Sequence, residues 1–190
     1  MENKTKVIIV TDGDHTAQEA VKRAATNLNL YPLMITGGNP TNLSGEQVVR
    51  YIQDAPFDPV VIMTDDKGKT GMGKGEKIID TLLDCNDITI LGVVAVASNT
   101  NVRGVEVDLS VNIEGKIVNG PVDKDGFEEK YKHKRLEGDT VEILKYHPEL
   151  LVIGCGDLGK MYGMDEVDYG AMITTKCFKE ILERSGTIIV

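Results

Sequence analysis

Three apolar runs in this chain end on aspartate. Val7–Val10 leads into Thr11-Asp12-Gly13-Asp14, Val60–Met63 into Thr64-Asp65-Asp66, and Leu150–Ile153 into Gly154-Cys155-Gly156-Asp157. Carboxylates so placed have two uses. If Asp12, Asp14, Asp65, Asp66 and Asp157 gather, their repulsion demands a cation or raised pKa values. Mg²⁺, a hard ion that takes oxygen ligands, would suit Asp12, Asp14 and Asp65. If they stay apart, each accepts free backbone N–H groups where a strand turns into a helix. On that reading Thr16 and Glu19, at capping-box spacing, open a helix and Asp12-Gly13-Asp14 is only the turn before it. Both uses remain open from sequence.

Two glycine-rich stretches adjoin these aspartates. In DDKGKTGMGKGE, residues 65–76, Gly68 through Lys74 fits GxxxxGK, but Gly75 stands where a phosphate-binding loop needs Ser or Thr to hold Mg²⁺. NTP hydrolysis is therefore not expected, although backbone N–H groups and Lys74 could hold a phosphate or carboxylate. Gly154 through Gly159 is formally GxGxxG. A dinucleotide fingerprint also needs a helix directly after it and a later strand ending in an acid. Gly163 interrupts the first, and Thr187–Val190 lacks the second. The loop still places Gly156 and Lys160 where they could meet an anion beside the aspartates. Ser98, after another apolar run, could line the same crevice. His15 borders the acidic turn, while His133 and His147 read as surface residues. No GxSxG elbow is present, and no cysteine has an evident histidine partner in sequence.

The elements that must position these residues alternate. Lys6–Val10, Tyr31–Ile35, Pro59–Met63 and Ile88–Ala97 read as strands. Helices are expected over 16–29, where Ala17, Ala20, Val21, Ala24 and Leu28 form one stripe, from Ser44 to Ile52, and over Glu76–Leu83. Strand and helix in turn give βαβ crossovers and a parallel sheet, whose carboxyl edge is where ligands bind. Beyond Ser98 the chain predicts a hairpin, Val105–Ile113 with Lys116–Val118, on the sheet or its edge. A mobile polar excursion at 119–137, a cap at Asp139 and Glu142, a strand at Leu150–Ile153 and a helix at Ala171–Arg184 closed by Gly186 follow. The expected fold class is α/β: one domain over 1–190, a mostly parallel sheet with helices on both faces, Rossmann-like or toprim-like, with a small β-hairpin insertion in the second half.

Composition narrows the function. Hydrophobic residues make up 41% and charged residues 27% of 190, the balance of a globular chain. The net charge of -9 argues against binding nucleic acid through its phosphates and against attraction to an anionic membrane. The three cysteines, Cys85, Cys155 and Cys177, have no CxxC spacing, so reduced buried thiols are expected. No secretory leader or bilayer-spanning run is evident, which predicts a soluble protein made in the cytoplasm.

The segment TDGDHTAQEAVKRAA is similar to the DxD-containing segment of toprim nucleotidyl-transfer domains. That likeness implies an alternative function, a Mg²⁺-dependent phosphoesterase or nucleotide-binding enzyme. The glutamate which that fold expects after an early strand has no counterpart placed in this chain. A wider resemblance runs along nearly the whole sequence. VTDGD, GNPTNLSGE at Gly38–Glu46, DPVVIMTDD, LGVVAVAS, GDTV at 138–141, IGCGDLGKM and ILERSG, in that order, resemble the soluble stage V sporulation protein AE family of spore-forming bacteria. The resemblance implies a soluble accessory of the machinery that moves dipicolinic acid, chelated with calcium, into the developing spore and out at germination. It implies other stage V sporulation proteins as partners, membrane components among them, and a place in the spore beside its inner membrane. It transfers no catalytic residue and favours binding over turnover. Dipicolinate is a planar dianion with two carboxylates. The acidic edge would hold its calcium, and glycine N–H groups with Lys74 or Lys160 would hold the carboxylates. A ligand-free module that docks on membrane partners is the third expectation.

Overall fold

β1, Thr5–Val10, is buried on both faces from Val7 to Val10, as that unbroken β-branched run demands. Ile8 and Val10 point into one core, with α1 (His15–Asn27) and α4 (Met172–Arg184). Val7 and Ile9 point into the other, with α2 (Gly45–Gln53) and α3 (Lys74–Leu83). The remaining strands are β2 (Tyr31–Pro32), β3 (Val60–Met63), β4 (Ile88–Val96), β5 (Leu109–Val111), β6 (Ile117–Val118) and β7 (Val152–Cys155). The sheet order is β2-β3-β1-β4-β7-β5-β6, parallel throughout except for the final β5–β6 pair. The fold is thus α/β with helices on both faces and a hairpin at one edge. This computed structural model describes residues 4–69, 71–100, 102–129 and 134–187. Thr70 in the Gly/Lys loop, residues 130–133 of the polar stretch with His133, and the end of the expected run Thr187–Val190 lie outside those ranges.

β4 changes phase midway. Leu91 and an added Cβ on Gly92 both face the α4 core, the latter 3.0 Å from Ile181. The pairing of β1 with β4 jumps from Val7↔Ile90 to Ile8↔Gly92. One extra residue keeps Val93 and Ala95 on the α3 side and Val94 and Val96 on the α4 side. Without that bulge, half the strand would present its side chains to the wrong layer.

Several expected elements differ. The second strand stops at Pro32, because Thr36 turns inward, donating to the Leu33 carbonyl at 2.7 Å and accepting from Met63 N–H at 2.9 Å. The last strand starts two residues late and runs through Gly154. An added Cβ on Gly154 would lie 2.2 Å from Ser110 Oγ, so the glycine serves close strand packing rather than a loop. Asp14, not Thr16, caps α1, accepting from Ala17 N–H at 2.9 Å. Residues Glu142–Tyr146 form a 3₁₀ turn that Asp139 does not cap. The described parts of the polar stretch, 119–129 and 134–137, are not a free excursion. Val122 and Leu136 are buried, Leu136 bridges to Val105, and the Lys124 carbonyl accepts from Asp157 N–H at 2.7 Å. Two apolar anchors in a charged segment are enough to draw it back over the sheet.

Candidate functional site

The chain after β1 passes to the α1 side, after β3 to the α3 side, and after β7 to α4 on the α1 side. Neighbouring strands whose continuations diverge leave a crevice at their carboxyl ends. Here it is a cavity of ≈ 250 Å³, lined by Asp12 and Asp14 from β1, Asp65 from β3, Ser98 from β4, and Asp157 with Lys160 from β7. Asn39, Asn99, Lys124 and Asp139 complete its wall.

Local chemistry holds each carboxylate. Asp12 Oδ1 accepts from its own turn, Gly13 N–H at 2.7 Å and Asp14 N–H at 3.2 Å. Gly13 is required: a Cβ there would lie 2.2 Å from the Gly38 carbonyl oxygen and 2.9 Å from Asp65 Cβ. Its absence lets the β1 and β3 ends close on each other. Thr41 clamps the Asp65 backbone from both sides, its hydroxyl accepting from Asp65 N–H at 3.0 Å and its N–H donating to the Asp65 carbonyl. Ser98 Oγ accepts from Asp139 N–H at 3.1 Å. The Asp139 carboxylate in turn accepts from Gly68 N–H.

Lys160 organises the acidic group. Its ammonium donates to Asp14 at 2.7 Å and to both Asp157 oxygens at 3.0 Å. Oxygens of Asp12, Asp14 and Asp157 all lie within 4.8 Å of one another. Burial and the negative charge of Asp14 push the Asp12 carboxyl up to about 7. Asp65 is raised to about 6, by burial first and then by Asp139 and Asp66. Burial and the Asp66 charge raise Asp139 as well. Asp14 goes the other way: burial opposes its ionisation, but the Ala17 N–H and Lys160 together hold it below the ordinary range. Burial disfavours the Lys160 ammonium, and its carboxylate partners more than offset that, so its pKa is raised.

The expected residues divide. Asp12, Asp14, Asp65, Ser98, Asp157 and Lys160 share the crevice, but Asp157 rather than Asp65 completes the close oxygen group. Thr64 is buried with its hydroxyl toward the Val10 carbonyl. Asp66 is spent on α3, accepting from Gly75 N–H at 2.7 Å and Glu76 N–H at 3.2 Å in place of the side chain that Gly73 lacks. Lys74 sits at the start of α3 and lines a separate surface hollow with Ser44 and Thr81. Gly156 packs against Gly126 and Met161, where a Cβ would lie 2.7 Å from Gly126 N. Asn39, Lys124, Asp139 and the supporting Asp165 escape sequence reasoning. Asn39 and Lys124 sit in irregular segments with no periodicity to place them, and Asp139 carried a cap signal instead.

Three ligand oxygens that close suit one cation. At about 2.4 Å from Ca²⁺, two oxygens on opposite sides of the ion are about 4.8 Å apart. That spacing is within the reach of one hard divalent ion, which would have to displace the Lys160 ammonium from Asp14 and Asp157. Among the described residues, no helix is long and apolar enough to cross a membrane. The family profile described as Stage V sporulation protein AE1 matches residues 6–185. No curated protein and no solved structure matches the chain.

Proposed function

Because the chain belongs to the stage V sporulation protein AE family, we propose that it serves sporulation as a binding protein for calcium dipicolinate, within the machinery that takes this chelate up and releases it. The observation that carries the reading is the oxygen group of Asp12, Asp14 and Asp157, gathered within 4.8 Å at the carboxyl edge of the sheet. The carboxylates hold the calcium. Lys124, Asn39, Asn99 and Ser98 also line the crevice and are residue types that can donate to a planar dianion. Other stage V sporulation proteins, membrane components among them, are the partners that would deliver or receive the chelate.

Titration calorimetry with calcium, with dipicolinate and with the preformed chelate tests this. The chelate is expected to give saturable heat that Asp12→Asn abolishes. No heat with any of the three would sink ligand binding. One observation favours a second reading. A carboxyl raised to about 7 can exchange a proton near neutral pH. Under that reading the crevice binds Mg²⁺ and hydrolyses a phosphoester, so Mg²⁺-dependent phosphodiesterase turnover, lost in the same Asp12→Asn protein, would displace the binding role.

A further inference from the structure

Lys160 holds the place that a divalent ion would need. Its ammonium lies 2.7 Å from Asp14 and 3.0 Å from both oxygens of Asp157. Those two residues, with Asp12, are the ones whose oxygens gather within 4.8 Å. The acidic group therefore already binds one positive charge, a tethered one, and any ion entering it competes with that charge. The tether is fixed at its base and free along its length. Gly159, just before it, has φ +73° and gives its N–H to Asp165 at 2.8 Å; a Cβ there would lie 2.8 Å from the Thr16 carbonyl oxygen. Met161, just after it, is 2% exposed. The backbone of Lys160 is thus pinned between α1, Asp165 and the core. Its side chain is 40% exposed on a flexible four-carbon stem. The ammonium can leave the carboxylates by side-chain rotation alone, while the anchored backbone keeps it beside the crevice.

That anchoring makes a bare ion and a chelated ion unequal. A bare dication that displaces the ammonium leaves two positive centres close together, and strips the ammonium of both its carboxylates. A dication carried by a dicarboxylate brings its own acceptors. The anion lowers the charge of the ion, and one of its carboxylate oxygens takes the released ammonium in a charge-assisted hydrogen bond. We propose that Lys160 is the specificity-determining residue of the crevice, a tethered cation that disfavours a free divalent ion and admits one that arrives bound to a dicarboxylate. This rests on the binding role proposed above and adds the residue that chooses between ion and chelate. Discrimination of this kind comes from a built-in repulsion as much as from attraction.

Titration calorimetry of the full chain with calcium chloride and with equimolar calcium dipicolinate, on wild type, Lys160→Met and Lys160→Arg, separates the two questions. Wild type is expected to bind the chelate about tenfold or more tighter than free calcium. Lys160→Met should bind free calcium about tenfold or more tighter than wild type does, so that the preference for the chelate shrinks toward none. Lys160→Arg retains the tethered charge and should retain the preference. Circular dichroism melts check that each variant is folded, and Lys160→Gln, uncharged but polar, replaces the methionine variant if that one is not. No gain for free calcium in the uncharged variant, or an undiminished preference for the chelate, overturns the role of Lys160 and leaves binding standing. Heat from neither titrant in any of these proteins overturns the binding role and this inference with it.

Discussion

Asp165→Ala is expected to lower the thermal midpoint by roughly 10 °C, from a loss of about 3–5 kcal/mol at 2–4 °C per kcal/mol for a chain of this size. Asp165 is fully buried. One oxygen accepts from Ile173 N–H at 2.8 Å and Thr174 N–H at 2.9 Å; the other accepts from Gly159 N–H at 2.8 Å and the Thr174 hydroxyl at 2.6 Å. The first pair is the work of an N-cap, which Ala171 cannot do because it has no side-chain acceptor. The Gly159 bond ties the start of α4 to the loop bearing Asp157 and Lys160. Alanine leaves these buried donors without partners, and that desolvation is what makes the loss large. Asp165→Asn keeps one acceptor oxygen and should lose about half as much. Differential scanning calorimetry on both variants decides; a fall below about 2 °C for alanine would mean that water or a shifted side chain replaces the carboxylate.

Stability should also fall as pH rises from about 4 to about 7, opposite to the usual behaviour of a paired carboxylate. A raised folded-state pKa means that the folded chain keeps a proton the unfolded chain has released. Asp12, raised from 3.8 to about 7, sets this window, and Asp65, raised to about 6, reinforces its lower part. Over that range each pH unit removes at most about 1.4 kcal/mol per group, and less for Asp12, whose half-buried carboxylate solvent partly screens. Above pH 7 the effect levels off. Asp14 is held low by Ala17 N–H and Lys160, so its contribution is lost only below this window. Urea unfolding between pH 4.5 and 8.5 should give a curve that Asp12→Asn flattens. If calcium binds the crevice as proposed, saturating calcium should flatten it too, because a metal ion takes deprotonated carboxylates. Parallel curves for the two proteins would show that Asp12 ionises as freely as a surface aspartate.

Much of the scaffold was legible in the sequence. The unbroken run Val7–Val10, the helical stripe from Ala17 to Ala24 and the Ser44–Gln47 capping box each depend on neighbours a few residues away, and each forms. Local pattern is enough where the interaction itself is local. The same reasoning placed Asp12, Asp14, Asp65, Ser98, Asp157 and Lys160 at one edge, since parallel strands put their carboxyl ends together.

Which aspartates face the crevice, and which brace helices, was settled only by tertiary structure. Asp65 and Asp66 are adjacent and chemically identical, yet one opens on the crevice and the other caps α3. Both follow the end of β3, and the α3 terminus lies on the side of Asp66. Gly154 reads as a loop and is strand, because Ser110 arrives from β5. Lys160 reads as an anion ligand and is held by two carboxylates, one 146 positions away in the chain. Residue types and short spacings determined the sheet, its helices and the edge where chemistry could gather. The pairing of charges across that edge required the folded chain, because an electrostatic partner is chosen by distance in space and not by distance along the sequence.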